Sequence, residues 1–377
     1  MKYVDDFRSG ELARALAGRI HAEARAGRRY RLMEFCGGHT HAIARYGLTA
    51  LLPANIELIH GPGCPVCVLP VGRIDSAIRL LKERAVTLCT YGDVLRVPAS
   101  GGQSLYHARA AGADVRMVYS SDDALELARR EPRREVVFFG LGFETTTPPT
   151  AVALLAARAE GLRNFSVYCN HVLTPPAMTH LLRDGADRLD GFLGPSHVST
   201  VIGAAPYRPV AARYGKPIVI TGFEPLDVLQ AVRMLVRQIN EGRAEVENQF
   251  TRAVTEQGNL RAQACVAQTL RLRDTFEWRG LGQVPDSALA IRPEFADWDA
   301  ERRYGMRDEG GAEVKACICG DILRGLKKPH DCKVFGNACT PATPLGACMV
   351  SSEGACSAYY HYGRFMQPER QSEEVTA

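Results

Sequence analysis

Cysteine is the residue whose spacing in this chain points most directly to chemistry. Twelve occur in 377 residues. In Gly61-Pro62-Gly63-Cys64-Pro65-Val66-Cys67 two of them stand three apart, just after the apolar run 56–59. Such a pair can close a disulfide, cycle as a dithiol or share a metal. Pro65 stiffens the loop, and Gly61 and Gly63 permit backbone shapes that other residues resist. Alone, the spacing is equally well explained by two buried loop cysteines. A second grouping is Cys36-Gly37-Gly38-His39-Thr40-His41, after the apolar run 31–35. Cys36 is placed at the carboxyl end of a strand, before a helix whose unsatisfied N–H groups favour a thiolate and lower the thiol pKa. Gly37 and Gly38 leave room for a bulky ligand, and His39 is close enough to donate a proton or act as a second ligand. The competing reading is a buried cysteine with two histidines in a first helical turn.

The third grouping is Cys317, Cys319, Cys332, Cys339, Cys348 and Cys356, half of all the cysteines within forty residues. Four thiolates can close a tetrahedral zinc site or hold an iron–sulfur cluster. Wide spacings through loops with Pro341, Pro344 and Gly346 suit the larger object, and zinc stays open. Two other loops follow strands. Gly140-Leu141-Gly142-Phe143-Glu144-Thr145-Thr146-Thr147 could cradle an anion or nucleotide phosphate, or cap a helix with its threonines. It lacks the lysine of a P-loop. Cys169-Asn170-His171 reads more readily as structural than as ligating. Cys89 and Cys265 read as core residues.

The elements that must position these residues come from the apolar pattern. Residues 3–28 read as helix, with Leu12, Leu16 and Ile20 on one face. Short apolar runs follow at 31–35, 56–59, 86–88, 115–119, 136–139, 165–168, 191–193 and 217–220, with helical stretches between most of them. This alternation predicts parallel sheets with crossover helices. The fold class is therefore α/β, with two doubly wound parallel-sheet domains. The polar, proline-containing segment Glu131-Pro132-Arg133-Arg134 is the expected link, giving one domain at 25–130 and another at 131–224. A long helical region follows from Pro225 to about 271, broken at Gly242 and Gly258. Residues 1–24 and 225–377 make a helical, irregular, cysteine-rich domain, held by something other than an apolar core. In open α/β sheets the strand carboxyl ends line the ligand crevice, so Cys36, Cys64, Cys67, Glu144 and His171 are expected to converge on a cleft between domains.

Composition removes several function classes. Hydrophobic residues make up 46% and charged residues 23%, and the formal charge is +4, so neither nucleic acid nor membrane is called for as a partner. No apolar run approaches a membrane span, and the first residues lack a signal-peptide pattern. The expected location is cytoplasmic, where thiols stay reduced. Metal, cluster or redox chemistry then accounts for twelve cysteines better than structural disulfides.

Several stretches resemble the HypD family of hydrogenase-maturation proteins: MEFCGGHTHAI (residues 33–43), GPGCPVCV (61–68), GFETTTP (142–148), NQFTRAV (248–254), WRGLG (278–282) and CKVFGNACTPATPLGACMVSSEGAC (332–356). The resemblance runs over nearly the whole chain. It implies a scaffold that assembles the iron centre of nickel–iron hydrogenase. Its cargo would be Fe(II) with two cyanides and one carbon monoxide, handled with a HypC-type chaperone and a HypE-type cyanide donor. It further implies Cys36 as the iron ligand, with His39 tuning it or moving protons. Cys64 and Cys67 would be the redox dithiol at that metal site, and a [4Fe–4S] cluster would sit on Cys332, Cys339, Cys348 and Cys356. Cys317 and Cys319 would replace one ligand or form another redox pair. The residues alone leave two other readings: a stand-alone iron–sulfur thiol oxidoreductase, and a zinc-stabilised binding protein.

Overall fold

Apolar residues in the expected strands run continuously rather than alternating with polar ones. The computed structural model, which describes residues 5–183, 185–307 and 310–363, shows why: the sheets are covered on both faces. Nine strands form them: β1 (Tyr30–Glu34), β2 (Ile56–His60), β3 (Val86–Thr90), β4 (Val115–Met117), β5 (Glu135–Gly142), β6 (Phe165–His171), β7 (Gly191–Pro195), β8 (Ile218–Thr221) and β9 (Val246–Asn248). The orders are β2-β1-β7-β8-β9 and β4-β3-β5-β6, and every pairing in both sheets is parallel. Successive side chains enter different cores. On β5, Val137, Phe139 and Leu141 face one core, while Val136 and Phe138 face another with helices Ser121–Arg130 and Thr147–Ala159. In the first sheet, Met33 and Phe192 join the same central core, while Leu32 and Leu193 face helices Gly10–Glu23 and Pro225–Glu241. The central core is thus shared by the two sheets.

The distribution of strands corrects the expected division at residues 131–134. β3 pairs with β5 directly across that segment, from Val86↔Glu135 to Cys89↔Phe138, and β1 pairs with both β2 and β7. The chain leaves the first sheet after β2, builds the whole second sheet, and returns at β7. The polar segment is an ordinary helix-to-strand turn. Asn164 Nδ2 donates to the carbonyls of Ala128, Glu131 and Arg134, and Arg134 pairs with Asp114 and Glu131. Polarity and proline mark a turn as readily as a linker. Helix Gly10–Glu23 packs along helix Pro225–Glu241 on the first sheet, rather than with the cysteine-rich region.

The stretch expected to be helical to about 271 contains β9. A three-residue edge strand leaves no periodic signal. Gly242 and Gly258 do end helical or turn segments in the left-handed region, at φ +69° and +68°. Beyond them, β10 (Leu270–Leu272) pairs antiparallel with β13 (Leu289–Ile291), and β11 (Thr275–Trp278) with β12 (Gly282–Pro285). Trp278 is fully buried and its Nε1 donates to Ser287 Oγ at 2.8 Å. The cysteine-rich segment does have an apolar anchor. Ile322, Leu323, Ala347 and Met349 are buried in the central core with Cys319 and Cys348, because short one-turn helices bury residues without a readable period.

An internal ion network ties helix Val71–Glu83 to β6 and to the segment after β13. Arg73 binds Glu301, Asn170 Oδ1 and the Cys169 carbonyl, and its guanidinium lies 4.1 Å from the Tyr168 ring centroid. Arg273 Nη2 shares the same Glu301 carboxylate at 2.8 and 2.9 Å. Burial pushes Glu301 up, but the two guanidiniums outweigh it and hold the carboxyl below its ordinary value.

Candidate redox and metal site

Cys36 follows β1 and stands at the N-terminus of helix Gly37–Arg45. Its position is set by Glu34, a fully buried carboxylate that accepts the Cys36 N–H at 3.0 Å, the His60 Nδ1–H at 2.9 Å and the Thr40 hydroxyl. The Cys36 loop is laced to the dithiol loop. Gly37 N–H donates to Gly63 O at 3.0 Å, and Gly61 N–H donates to Glu34 O at 2.9 Å. Gly63 allows the approach, since a Cβ there would collide with the backbone of Cys36. Gly63→Ala is therefore expected to cost about 1–3 kcal/mol in urea unfolding. Gly18→Ala, in a helix where a Cβ meets nothing within 4 Å, is expected to stabilise by about 0.5–1 kcal/mol. Equal effects at the two positions would contradict the tight loop contact.

Cys64 and Cys67 are buried and disulfide-bonded, with Cα atoms 5.2 Å apart. Cys64 caps the short helix Pro65–Val68, and Pro65 occupies its first position. In this state neither sulfur is a free thiolate. On its other side this helix packs against the turn Ala347–Met349, which carries Cys348.

A cavity of about 590 Å³ opens between the strand ends of the two sheets. Cys36, Pro65, Tyr91, Asp93, Thr145, Thr146, His197 and Glu353 contribute to its wall. The expected convergence at strand ends therefore holds for Cys36 and brings the dithiol alongside it. It does not hold for Glu144 or His171, which are buried structural residues. His171 Nε2 accepts from Thr150 Oγ1 at 2.8 Å, with its Nδ1 towards the Gly142 carbonyl. Glu144 accepts from Thr174 N and Oγ1 at 2.8 and 2.9 Å. His39 is turned away from the cavity. Its Nε2 donates to Thr221 O at 3.0 Å, and its ring packs 4.8 Å from Phe223. His197, whose ring also packs against Phe223 at 4.3 Å, is the histidine in the cavity wall. Thr146 and Thr147 donate their hydroxyls to Phe143 O and leave the helix N–H groups uncapped by side chains.

Electrostatics correct the expected thiolate at Cys36. Burial first, then the carboxylates of Glu353 and Glu34, push its thiol well above the ordinary value; the N–H groups of Gly38 and His39 pull the other way and lose. Binding a metal there requires displacing a proton. Glu353 is itself pushed up by burial, Asp93 and Glu34. Asp93, His197 and Glu353 were missed by the motif reading, although Asp93 and His197 sit just after strand ends, where such residues are to be sought.

Burial raises Glu144 from 4.5 to about 7. A carboxyl raised in the folded state binds its proton more tightly there than when unfolded, so its stabilisation is complete below about pH 4.5 and is lost as pH rises through about 7. His171, lowered by burial to about 4, acts with the opposite sign between about pH 4 and 6.5. A difference measurement isolates Glu144. Relative to Glu144→Gln, the wild type is expected to lose about 3 kcal/mol between pH 4 and 8. A pH-independent difference would show that folding leaves the pKa of Glu144 unchanged.

Five of the six C-terminal cysteines gather together. Cys317 and Cys319 sulfurs are 3.2 Å apart, with Gly346 so close that a Cβ would strike both. Cys356 is held below its ordinary value by the thiols of Cys319 and Cys348, and Cys339 Sγ accepts Leu345 N–H at 3.3 Å. Of the expected cluster ligands, Cys339, Cys348 and Cys356 belong to this group. Cys332 is part-exposed, with its Sγ 3.9 Å from Ala316 O. Cys89 and Cys169 are buried, whereas Cys265 is part-exposed rather than core. Among the described residues, no group of three or more His, Cys, Asp or Glu is disposed to hold a single metal ion. The donor chemistry nevertheless fits a soft metal centre: all five are sulfur, four of them are buried, and a buried guanidinium, Arg279, adjoins them.

Fold and site together define a thiol-rich α/β protein with a buried disulfide between a cavity-lining cysteine and a sulfur cluster. The chain belongs to the HypD family: the family model described as "Hydrogenase formation hypA family" matches residues 11–363. It is 62% identical over 371 residues to the hydrogenase maturation factor HypD of Cupriavidus necator, covering 97% of this chain and 98% of that one. It is 64% identical over 372 residues to HypD of Azotobacter vinelandii, with the same shares covered. With HypD of Escherichia coli K12 it shares 47% over 367 residues, 96% of this chain and 98% of that one. No helix among the described residues is long and apolar enough to cross a membrane.

Proposed function

We propose that this chain is a hydrogenase maturation factor that holds an Fe(II) cargo on Cys36 while two cyanides and one carbon monoxide are attached. A HypC-type chaperone supplies a further ligand and a HypE-type protein delivers cyanide. The observation that carries the reading is the stacking of three sulfur sites. Gly63 presses the Cys36 backbone against the dithiol loop, and helix Pro65–Val68 packs against the turn bearing Cys348.

A [4Fe–4S] cluster on Cys339, Cys348 and Cys356, with a fourth thiol from Cys332 or the Cys317/Cys319 pair, supplies one-electron transfer when bound. The Cys64–Cys67 disulfide takes two electrons and two protons to become a dithiol, the electrons coming from an external one-electron donor. The reduced dithiol would then hold two electrons and two protons beside the iron site on Cys36. The soft Cys36 thiolate suits iron carrying strong-field ligands. Phe35, Val66 and Phe143 keep the cavity wall apolar near it, while His197, Asp93 and Glu353 are placed to hold or move protons.

The test is complementation. Expressed in a hydrogenase-producing bacterium that lacks its own HypD protein, the chain is expected to restore hydrogenase activity. Soluble, folded protein with no restored activity would refute the maturation role.

A further inference from the structure

Arg279 is an arginine in an unusual place. It is 4% exposed, between the helix of the dithiol and the gathered cysteines. Its backbone N–H donates to Val68 O at 2.8 Å, and its Nη2 donates to Pro98 O at 3.0 Å. Its Nε is buried without a hydrogen-bond partner. The nearest carboxylate, Glu313, is 3.7 Å away and half exposed. Arg279 shares a small cavity of about 20 Å³ with Glu313, Cys317 and Cys319. Two glycines produce this proximity. Gly280, at φ +81°, and Gly320 pass so closely that a Cβ on Gly280 would strike the Gly320 backbone, which brings the residues just before each, Arg279 and Cys319, together.

A buried cation with so little compensation is costly and persists where anionic charge is provided. Burial works against the Arg279 charge, whereas Glu313 and the sulfurs of Cys319, Cys348 and Cys317 work for it. The electrostatics are those of a site built around negative sulfur.

We infer that Arg279 is a positioning and charge-setting residue of the C-terminal sulfur cluster, its buried guanidinium raising the reduction potential of the centre assembled there. The inference rests on the iron–sulfur reading above. An electron added to such a centre adds negative charge, which a neighbouring fixed cation stabilises, so the reduced form gains. Through its backbone bond to Val68, the same residue joins this centre to the helix of Cys64 and Cys67.

The test is a potentiometric titration of the full-length protein, purified anaerobically and loaded with iron and sulfide. Arg279→Gln is expected to lower the midpoint, with about a tenfold change in the ratio of reduced to oxidised centre at fixed potential, ~59 mV for one electron. Arg279→Lys is expected to recover most of the shift. Glu313→Gln removes the opposing charge from a half-exposed site that tolerates substitution, and is expected to shift the midpoint upward by less. Opposite signs would not arise from loosening of the fold. An unchanged Arg279→Gln midpoint, or a Glu313→Gln midpoint that stays put or falls, overturns the inference; should Arg279→Gln fail to fold, the Glu313→Gln shift decides. A wild-type protein that retains neither iron nor sulfide overturns the cofactor reading and this inference with it, whereas a loaded wild type with unmoved variants overturns the Arg279 assignment alone.

Discussion

Replacing Cys36 with alanine is expected to abolish the cyanide and carbonyl infrared bands of the complex formed with the partner proteins, while the brown colour of the cluster persists. Cys36 is the cysteine among the residues lining the cavity, and alanine offers no donor. Cys36→Ser is expected to fail as well, since a hard hydroxyl oxygen does not replace a soft thiolate at such iron. The fold should tolerate both changes. The Cys36 side chain makes no helix-capping hydrogen bond, and Glu34 binds the backbone N–H of residue 36, which both variants keep. Bands that survive in Cys36→Ala would place the iron elsewhere. Loss of bands together with loss of colour would show that residue 36 supports the fold rather than the cargo.

The largest effect on stability is expected at Glu301. Its carboxylate serves Arg73 and Arg273 at once, in a position where Arg73 is 5% exposed. Glu301→Ala removes the shared anion and leaves two guanidiniums beside one another, a loss of about 3–5 kcal/mol. Urea unfolding measures it. The triple variant Arg73→Met/Arg273→Met/Glu301→Leu is expected to recover much of the loss, because apolar packing then replaces the whole buried ion network at little net cost. A Glu301→Ala change within about 0.5 kcal/mol, the range of ordinary surface substitutions, would show that the network contributes nothing to holding helix Val71–Glu83 against β6.

The sequence was most legible where chemistry demands several unusual residues close together. Cys36 between an apolar run and two glycines, and the cysteine pair around Pro65, could be read directly, as could the parallel α/β class from unbroken strands. Sheet membership could not be read. β1 pairs with β7 on one side as well as with β2 on the other, and a pairing across that distance leaves no mark on local periodicity. The same limit applies to single polar residues. Asp93, His197, Glu353 and Arg279 acquire their roles only from tertiary contacts, and Glu353 reaches the cavity from the cysteine-rich segment. His39 shows the converse. Its proximity in sequence to Cys36 pointed towards the cavity, yet one helical turn rotates the side chain onto Thr221 and Phe223. The thiol of Cys36 was misjudged for a related reason. A helix N-terminus lowers a thiol pKa, but burial and the carboxylates of Glu353 and Glu34 outweigh it, and two of those three influences come from the tertiary fold.

The most direct measurement is metal, acid-labile sulfide and infrared analysis of the anaerobically purified wild-type protein, alone and with its partner proteins. The account predicts about four irons with matching sulfide in the isolated chain, and one further iron with cyanide and carbonyl bands in the complex. A colourless protein containing zinc without iron, or a complex without those bands, would contradict it.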